Sequence, residues 1–253
     1  MLANIWLENA RDVMDKIART QTDNIKKAAL IMADSIAAER WVHTFGCGHA
    51  TLPVEEMYPR IGGFVGFHPM IELPLTFFTH IVGEMGIHQF LFLERAEGFG
   101  NEIMKSYSFD PRDSVWLFSH SGINQVNIDI AIKAKELGMK VVTVSSVEGY
   151  KSVASRHSSG KKLVEISDVV IDSCVPNQDA SVTLKNHRDK IAPVSTIAFV
   201  TVVWMVICCV AEELVERGVR LYIHPSHNVP GDTTARDRLS EALAMYKKRI
   251  AGV

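Results

Sequence analysis

A run of hydroxyl-bearing and small residues, Ser119-His120-Ser121-Gly122-Ile123-Asn124-Gln125, separates two apolar patterns of different period. Before it stands Ser114-Val115-Trp116-Leu117-Phe118, a short stretch with β-branched and aromatic members, which reads as a buried strand. After it, Ile123, Val126, Ile130, Ala134 and Leu137 recur at helical spacing, and Gly138 closes the pattern. The segment therefore reads strand, loop, helix. A helix start presents unpaired N–H groups and a partial positive charge, so it suits an anion such as phosphate. Ser119 and Ser121 add hydroxyl donors, and Gly122 lets the backbone approach a ligand. The simpler reading is that one serine only caps the helix.

A second unit of the same kind lies earlier. Trp41 to Phe45 is a short apolar run that leads into Gly46-Cys47-Gly48-His49-Ala50, and residues 51–60 look helical. Position 51 is Thr, so the third small residue of a dinucleotide fingerprint is missing. No Gly-Lys-Ser/Thr follows, which excludes a nucleoside-triphosphate loop. Two helix starts aimed at one crevice point to a small phosphorylated ligand. Its candidate contacts are Gly46, Gly48, His49, Ala50, Ser119, His120, Ser121, Gly122 and Asn124. Ser145, which closes a later strand, and Ser195, at the start of a long helix, extend the set.

Strands are expected at about 41–46, 64–68, 114–119, 140–145 and 168–173, with helical segments between most of them. Strand alternating with helix argues for a parallel sheet covered on both faces. Two helices, 3–20 and 22–39, precede the first strand. The stretch 69–98, with Pro69, Pro74 and the Phe77-Phe78 pair, is irregular and is expected to form a partly helical flap near the site.

Composition narrows the function classes. The chain has 253 residues and a net charge of −2, without the basic footprint of a nucleic-acid binder. Cys47, Cys174, Cys208 and Cys209 have neither zinc-finger nor thioredoxin spacing, and free thiols in a reducing cytosol are expected. The first ten residues carry charge early and lack a signal-peptide core. Ile197 to Ala211 is apolar apart from Thr201. Its roughly 15 residues fall short of a bilayer span, so it is expected to be a core helix, not a membrane anchor. No His-x-x-x-His spacing supports zinc, and no cofactor or metal is expected.

At the two loops the chain resembles the SIS (sugar isomerase) domain family of phosphosugar-binding proteins, whose most recognisable signature is the Ser-x-Ser-Gly loop found at 119–122. It resembles most the bacterial single-SIS-domain proteins of uncharacterised activity. The matching stretches are Gly46-Cys47-Gly48-His49, Glu55-Glu56, Leu93-Glu94-Arg95-Ala96-Glu97-Gly98 and Ser155-Arg156-His157-Ser158-Ser159-Gly160-Lys161. Asp168 to Asp172, Pro176 with Asp179-Ala180, Ser195-Thr196-Ile197 and Ser226-His227-Asn228 complete the match. One position departs from the pattern: the first loop's hydroxyl is Ala50 here.

The resemblance implies a flavodoxin-like five-stranded parallel sheet with helices on both faces, over 41–253 with C-terminal helices. It also implies a helical arm over 1–40 that packs across a homodimer or homotetramer, all within one SIS domain. The leading activity is aldose–ketose isomerisation of a sugar phosphate, in the cytoplasm and without a cofactor. The alternatives are an etherase or lyase acting on a 6-phosphosugar, and a non-catalytic phosphosugar sensor. An isomerase needs a carboxylate base and an acid. The match to heptose phosphate isomerases implies Glu56 as the base, and the match to N-acetylmuramic acid 6-phosphate etherases implies Glu97 as a catalytic carboxylate. The isomerases carry their histidine on the helix begun here by Ser195-Thr196, which holds none. His227, with His224, is then the candidate to reach a neighbouring subunit's pocket. Arg156, His157, Lys161 and Lys162 form a basic cluster that could clamp a charged group.

Overall fold

The computed structural model describes residues 1–57, 60–77 and 84–251. Five parallel strands form the central sheet: β1 (Val42–Gly46), β2 (Phe67–Pro69), β3 (Ser114–Phe118), β4 (Lys140–Ser145) and β5 (Val169–Asp172). Their order is β2-β1-β3-β4-β5, the flavodoxin-like order. The order reverses between β1 and β3, so the loops after these two strands open into one crevice.

Side chains alternate along the strands and divide the core in two. On one face Trp116 and Phe118 of β3, with Val142 and Val144 of β4, join a cluster with helices α1 (Leu2–Thr20), α2 (Thr22–Ala37) and α9 (Ser195–Glu216). On the other, Val115 and Leu117 pack with Val126 and Ile130 of α7 (Gln125–Glu136) and with Ile103 of α6 (Phe99–Met104). All residues of β3 are buried, as a central strand covered by helices on both sides requires.

The N-terminal helices pack on this chain's own core through one face. Ile25, Met32 and Ile36 of α2 are at most 2% exposed and lie in this chain's own core. A free arm would leave that stripe in water, at a cost of roughly 1.5–3 kcal/mol per large apolar side chain. In α1, Ala10, Val13 and Ile17 are likewise buried on the same core.

Three other boundaries differ from the sequence reading. The second strand lies at Phe67–Pro69, while Phe64 forms an isolated antiparallel bridge with Ile223. Residues 180–193 contain an unexpected antiparallel hairpin, β6 (Ala180–Thr183) with β7 (Lys190–Pro193). It docks on α1 through Asn9 Nδ2, which donates to the Ser181 carbonyl at 3.0 Å, and Trp6 Nε1, which donates to the Pro193 carbonyl at 3.2 Å. The apolar helix is longer than its apolar run. At 22 residues α9 is long and apolar enough to cross a membrane by length and composition alone, yet Phe199, Val202, Val203, Val206 and Val210 are buried in the core.

The remaining helices are α3 (Leu52–Met57), α4 (Leu73–Thr76), α5 (Ile87–Leu93), α8 (Leu163–Ile166) and α10 (Ala235–Ala251). α4 and α5 supply the expected helical parts of 69–98. Residues 78–83 of that flap, and 58–59 of the helical stretch expected to reach 60, lie outside the described residues.

Candidate functional site

The loops after β1 and β3 enclose a cleft of about 240 Å³. After β1 the chain turns into a 3₁₀ segment, Gly48–Thr51, held by Thr51 Oγ1, which donates to the Gly48 carbonyl at 2.7 Å. Gly48 has a φ of +62°, and a Cβ there would strike the ring of Phe90 at 2.8 Å, so glycine is required. Gly46 packs against the Ala50 backbone. These glycines shape the loop, while His49 and Ala50 line the cleft.

After β3, Ser119 Oγ accepts from the Gly122 N–H at 3.0 Å, and Gly122 adopts a φ of +65°. The loop thus folds on itself and ends at Asn124, the N-cap residue of α7. Ser119, His120, Ser121 and Asn124 all line the cleft. Ser145 does not. It is 1% exposed and donates to the Ser119 carbonyl at 2.7 Å from behind, so it braces the loop. Ser195 lines the opposite wall and donates to Asp179, which also accepts the N–H groups of Val194 and Ser195 at 2.9 and 2.8 Å. Asp179 therefore closes the start of α9, where a carboxylate is stabilised by the helix dipole.

Two carboxylates line the cleft, Asp179, held at the start of α9, and Glu94. Glu94 is 8% exposed and lines the pocket with Asn124 and Asn127. Asn124 Nδ2 donates to Glu94 Oε2 at 2.9 Å, and Asn124 Oδ1 accepts from Arg156 at 2.8 Å. Burial pushes the Glu94 carboxyl above the usual carboxylate range, against the opposing pull of Arg95, Asn124 and Arg156. Burial, with Glu94 nearby, also holds the Cys47 thiol well above its ordinary range, so Cys47 is a neutral wall group and not a thiolate.

The three residues assigned catalytic roles from the resemblance sit elsewhere. Glu56 faces the outer side of α9: Oε2 accepts from Arg60 at 2.9 Å and Oε1 from Trp204 Nε1 at 3.1 Å. Glu97 accepts from the N–H of Ser158 at 2.8 Å and from its hydroxyl. His227 lies in the exposed turn after Ser226. None of them lines the cleft. Sequence reasoning passed over Glu94, although it stands in the quoted Leu93-Glu94-Arg95 stretch. Its available signal was a carboxylate directly behind the apolar run Phe90 to Leu93. Among the described residues no group of three or more His, Cys, Asp or Glu side chains is placed to hold a metal ion.

The SIS-domain family model matches residues 5–146. The chain belongs to the SIS domain family. It is 32% identical over 240 residues to a UPF0309 protein of Shouchella clausii, covering 93% of this chain and 96% of the relative. To a UPF0309 protein of Caldanaerobacter subterraneus it is 31% identical over 252 residues, covering 98% and 99%. Among solved structures, a phosphoheptose isomerase from Francisella tularensis superposes with a TM-score of 0.53 at 14% identity, over 83% of this chain and 96% of that one. A phosphoheptose isomerase from Neisseria gonorrhoeae gives 0.52 at 11% identity, over 81% and 94%. At these identities the likeness establishes the shared SIS fold.

Proposed function

We propose that the cleft binds a small sugar phosphate and interconverts its aldose and ketose forms without a cofactor. The phosphate would sit on the 119–124 loop, where Ser119 and Ser121 line the cleft just ahead of the start of α7. The observation that carries the reading is Glu94, a buried carboxylate with a raised pKa at the edge of that anion site. A carboxyl so raised is better matched to proton transfer near neutral pH than an ordinary one. Glu94 takes the proton from the carbon beside the carbonyl, the electron pair moves onto the carbonyl oxygen, and an enediolate forms. Return of the proton to the former carbonyl carbon, with the hydroxyl proton passing from the second sugar oxygen to the first, completes the exchange. His49 and His120, the latter with its ring edge-on to Tyr150, both line the cleft and are the candidates to serve the sugar oxygens. The phosphoheptose isomerases that share the fold support this chemistry. A lyase reading would rest on Glu97, which does not line the cleft.

The test has two steps. A thermal-shift screen against sugar phosphates identifies a ligand, because a molecule that binds only the native state raises its apparent stability. The ligand is then incubated in heavy water with the parent protein and with Glu94→Gln. Exchange at the sugar carbon that disappears in Glu94→Gln, while binding survives, supports the assignment. Binding without any exchange in the parent would make the protein a sensor.

A further inference from the structure

The cleft has an unbalanced charge. Glu94 and Asp179 line it, and among the described residues no Lys or Arg does. A phosphate ester adds about two negative charges near neutral pH. Hydroxyls and a helix start offer it only partial positive charge. Holding a phosphate there therefore calls for a cation that the lining does not supply.

Most cations near the cleft are committed elsewhere. Arg95 Nε lies 3.5 Å from Glu94 Oε1, and Lys151 Nζ lies 3.5 Å from Glu148 Oε1. Lys162 Nζ donates to the carbonyls of Tyr150 and Lys151 at 3.3 and 2.9 Å. Arg156 is different. It is exposed, and its guanidinium makes one hydrogen bond among the described residues, from Nη1 to Asn124 Oδ1 at 2.8 Å. Most of its donors are left unused, and the atom it touches belongs to a side chain that lines the cleft.

The backbone of Arg156 is strapped to the anion loop. Its N–H donates to the Ile123 carbonyl at 3.1 Å, and its carbonyl accepts from Gln125 Nε2 at 2.9 Å. Flanking residues fix the strap: Ser155 Oγ donates to the Lys161 carbonyl at 2.7 Å, and Glu97 accepts from the Ser158 N–H at 2.8 Å. None of these bonds uses the Arg156 guanidinium, so the chain holds that group beside the start of α7 and leaves its charge available. Burial raises the Glu94 carboxyl and the Tyr150 hydroxyl, and the Arg156 charge pulls both back down. Both groups line the cleft.

We infer that Arg156 grips the phosphate of the substrate: its guanidinium donates to the phosphate on the 119–124 loop and supplies the positive charge that the cleft wall lacks. A planar guanidinium suits this task, because its paired donors match two phosphate oxygens. The inference rests on the sugar-phosphate reading and adds the residue that selects a phosphorylated sugar over an unphosphorylated one.

Phosphorus-31 NMR titration of the full chain with inorganic phosphate, at about pH 8 where the dianion dominates, tests the assignment. The parent chain is expected to bind. Arg156→Gln should weaken phosphate about tenfold, equal to about 1.4 kcal/mol. Arg156→Lys should recover part of the loss, since it restores charge without the paired donors. Urea unfolding of both variants should match the parent, because the strap is held by the backbone and by neighbouring side chains. If Arg156 acts only on Glu94 through Asn124, Arg156→Gln will shift the Glu94 titration and keep parental phosphate affinity, which overturns the inference. Ser121→Ala separates the two levels. Phosphate weakened by Ser121→Ala but not by Arg156→Gln leaves the anion loop standing and removes only the role of Arg156. Phosphate weakened by neither, or not bound by the parent at all, removes the sugar-phosphate site together with this inference.

Discussion

Asn124 joins two charged groups that do not touch: its amide nitrogen lies 2.9 Å from Glu94 Oε2, and its amide oxygen accepts from Arg156 at 2.8 Å. The residue that opens α7 at the anion loop therefore also sets the environment of the buried carboxylate. Replacing Asn124 with Ala removes a donor to the charged form of Glu94 and cuts its link to Arg156. The Glu94 carboxyl should then titrate at higher pH than in the parent protein, since hydrogen bonds to a carboxylate lower its pKa. Carbon-13 NMR of labelled glutamate checks this, and an unchanged or lower value would count against the relay.

The two loop serines should separate by role. Ser121→Ala should weaken the sugar phosphate found in the screen by roughly 0.5–3 kcal/mol, the range for hydrogen bonds to charged groups and unsatisfied partners. Ser119→Ala should do the same and also lower stability, because its hydroxyl accepts the Gly122 N–H inside the loop. Calorimetry for affinity and urea unfolding for stability distinguish them. Equal affinity in the parent and in the double variant would remove the anion site.

Glu56→Gln gives the opposite test. Its carboxylate is bound to Arg60 and Trp204 on the outer side of α9, not in the cleft. The Arg60 partner is half exposed, so loss of the ion pair should cost about 0.2–1 kcal/mol. Deuterium exchange at the sugar carbon should continue at the parental rate. Loss of exchange with binding intact would return the base to Glu56.

Asp113 controls acid stability at the far end of the sheet. It is 1% exposed and accepts from Arg40 at 3.0 and 3.1 Å, from the Trp41 N–H at 2.9 Å and from the Asp110 N–H at 2.7 Å. Burial pushes its carboxyl up, but the hydrogen bonds from His43, Arg40 and the backbone outweigh this and bring it down to about 2. A depressed folded pKa stabilises the native state above the unfolded value of about 3.9, and that contribution is lost as pH falls toward 2. Asp113→Ala should cost about 3–5 kcal/mol at neutral pH, since it strands a partly buried arginine. It should also flatten the pH dependence of unfolding between about pH 4 and 2. Denaturant melts across that range measure both effects.

Assembly can be weighed directly. Leu2, Ile5 and Leu7 of α1 and Val215 of α9 are exposed, and Trp204 and Met205 are only partly buried. Scattered exposed apolar residues are ordinary, whereas a contiguous patch marks an interaction site, so these residues are the candidates for a contact between copies of the chain. Light scattering at micromolar protein should give at least twice the 28.1 kDa chain mass, and a monomer would refute the homo-oligomer.

The positions of the strands and of the two loops after β1 and β3 were legible because local patterns specify them, while the strand order was implied by the family resemblance. The short, wholly buried apolar run of Val115 to Phe118 and the hydroxyl-rich turn that follows mark a strand and a helix start within a few residues. The hairpin at 180–193 was not legible. Its strands are four residues each and only Val182 is buried, so no apolar alternation marked them, and contact with α1 stabilises them.

The sequence by itself determined the sheet, its helical cover and the placement of Ser119, Ser121 and Asn124 around a helix start. These follow from side-chain periodicity and from glycines whose backbone angles other residues resist. Only the tertiary structure decided which of the candidate glutamates lines the cleft. Glu55, Glu56, Glu94 and Glu97 are equivalent as letters. Glu94 enters the pocket because the end of α5 packs beside the start of α7, whereas Glu56 is drawn outward by Arg60 and Trp204. Apart from the local Glu56–Arg60 pair, that choice depends on contacts between residues 30 and 148 positions apart, separations that no local pattern reads.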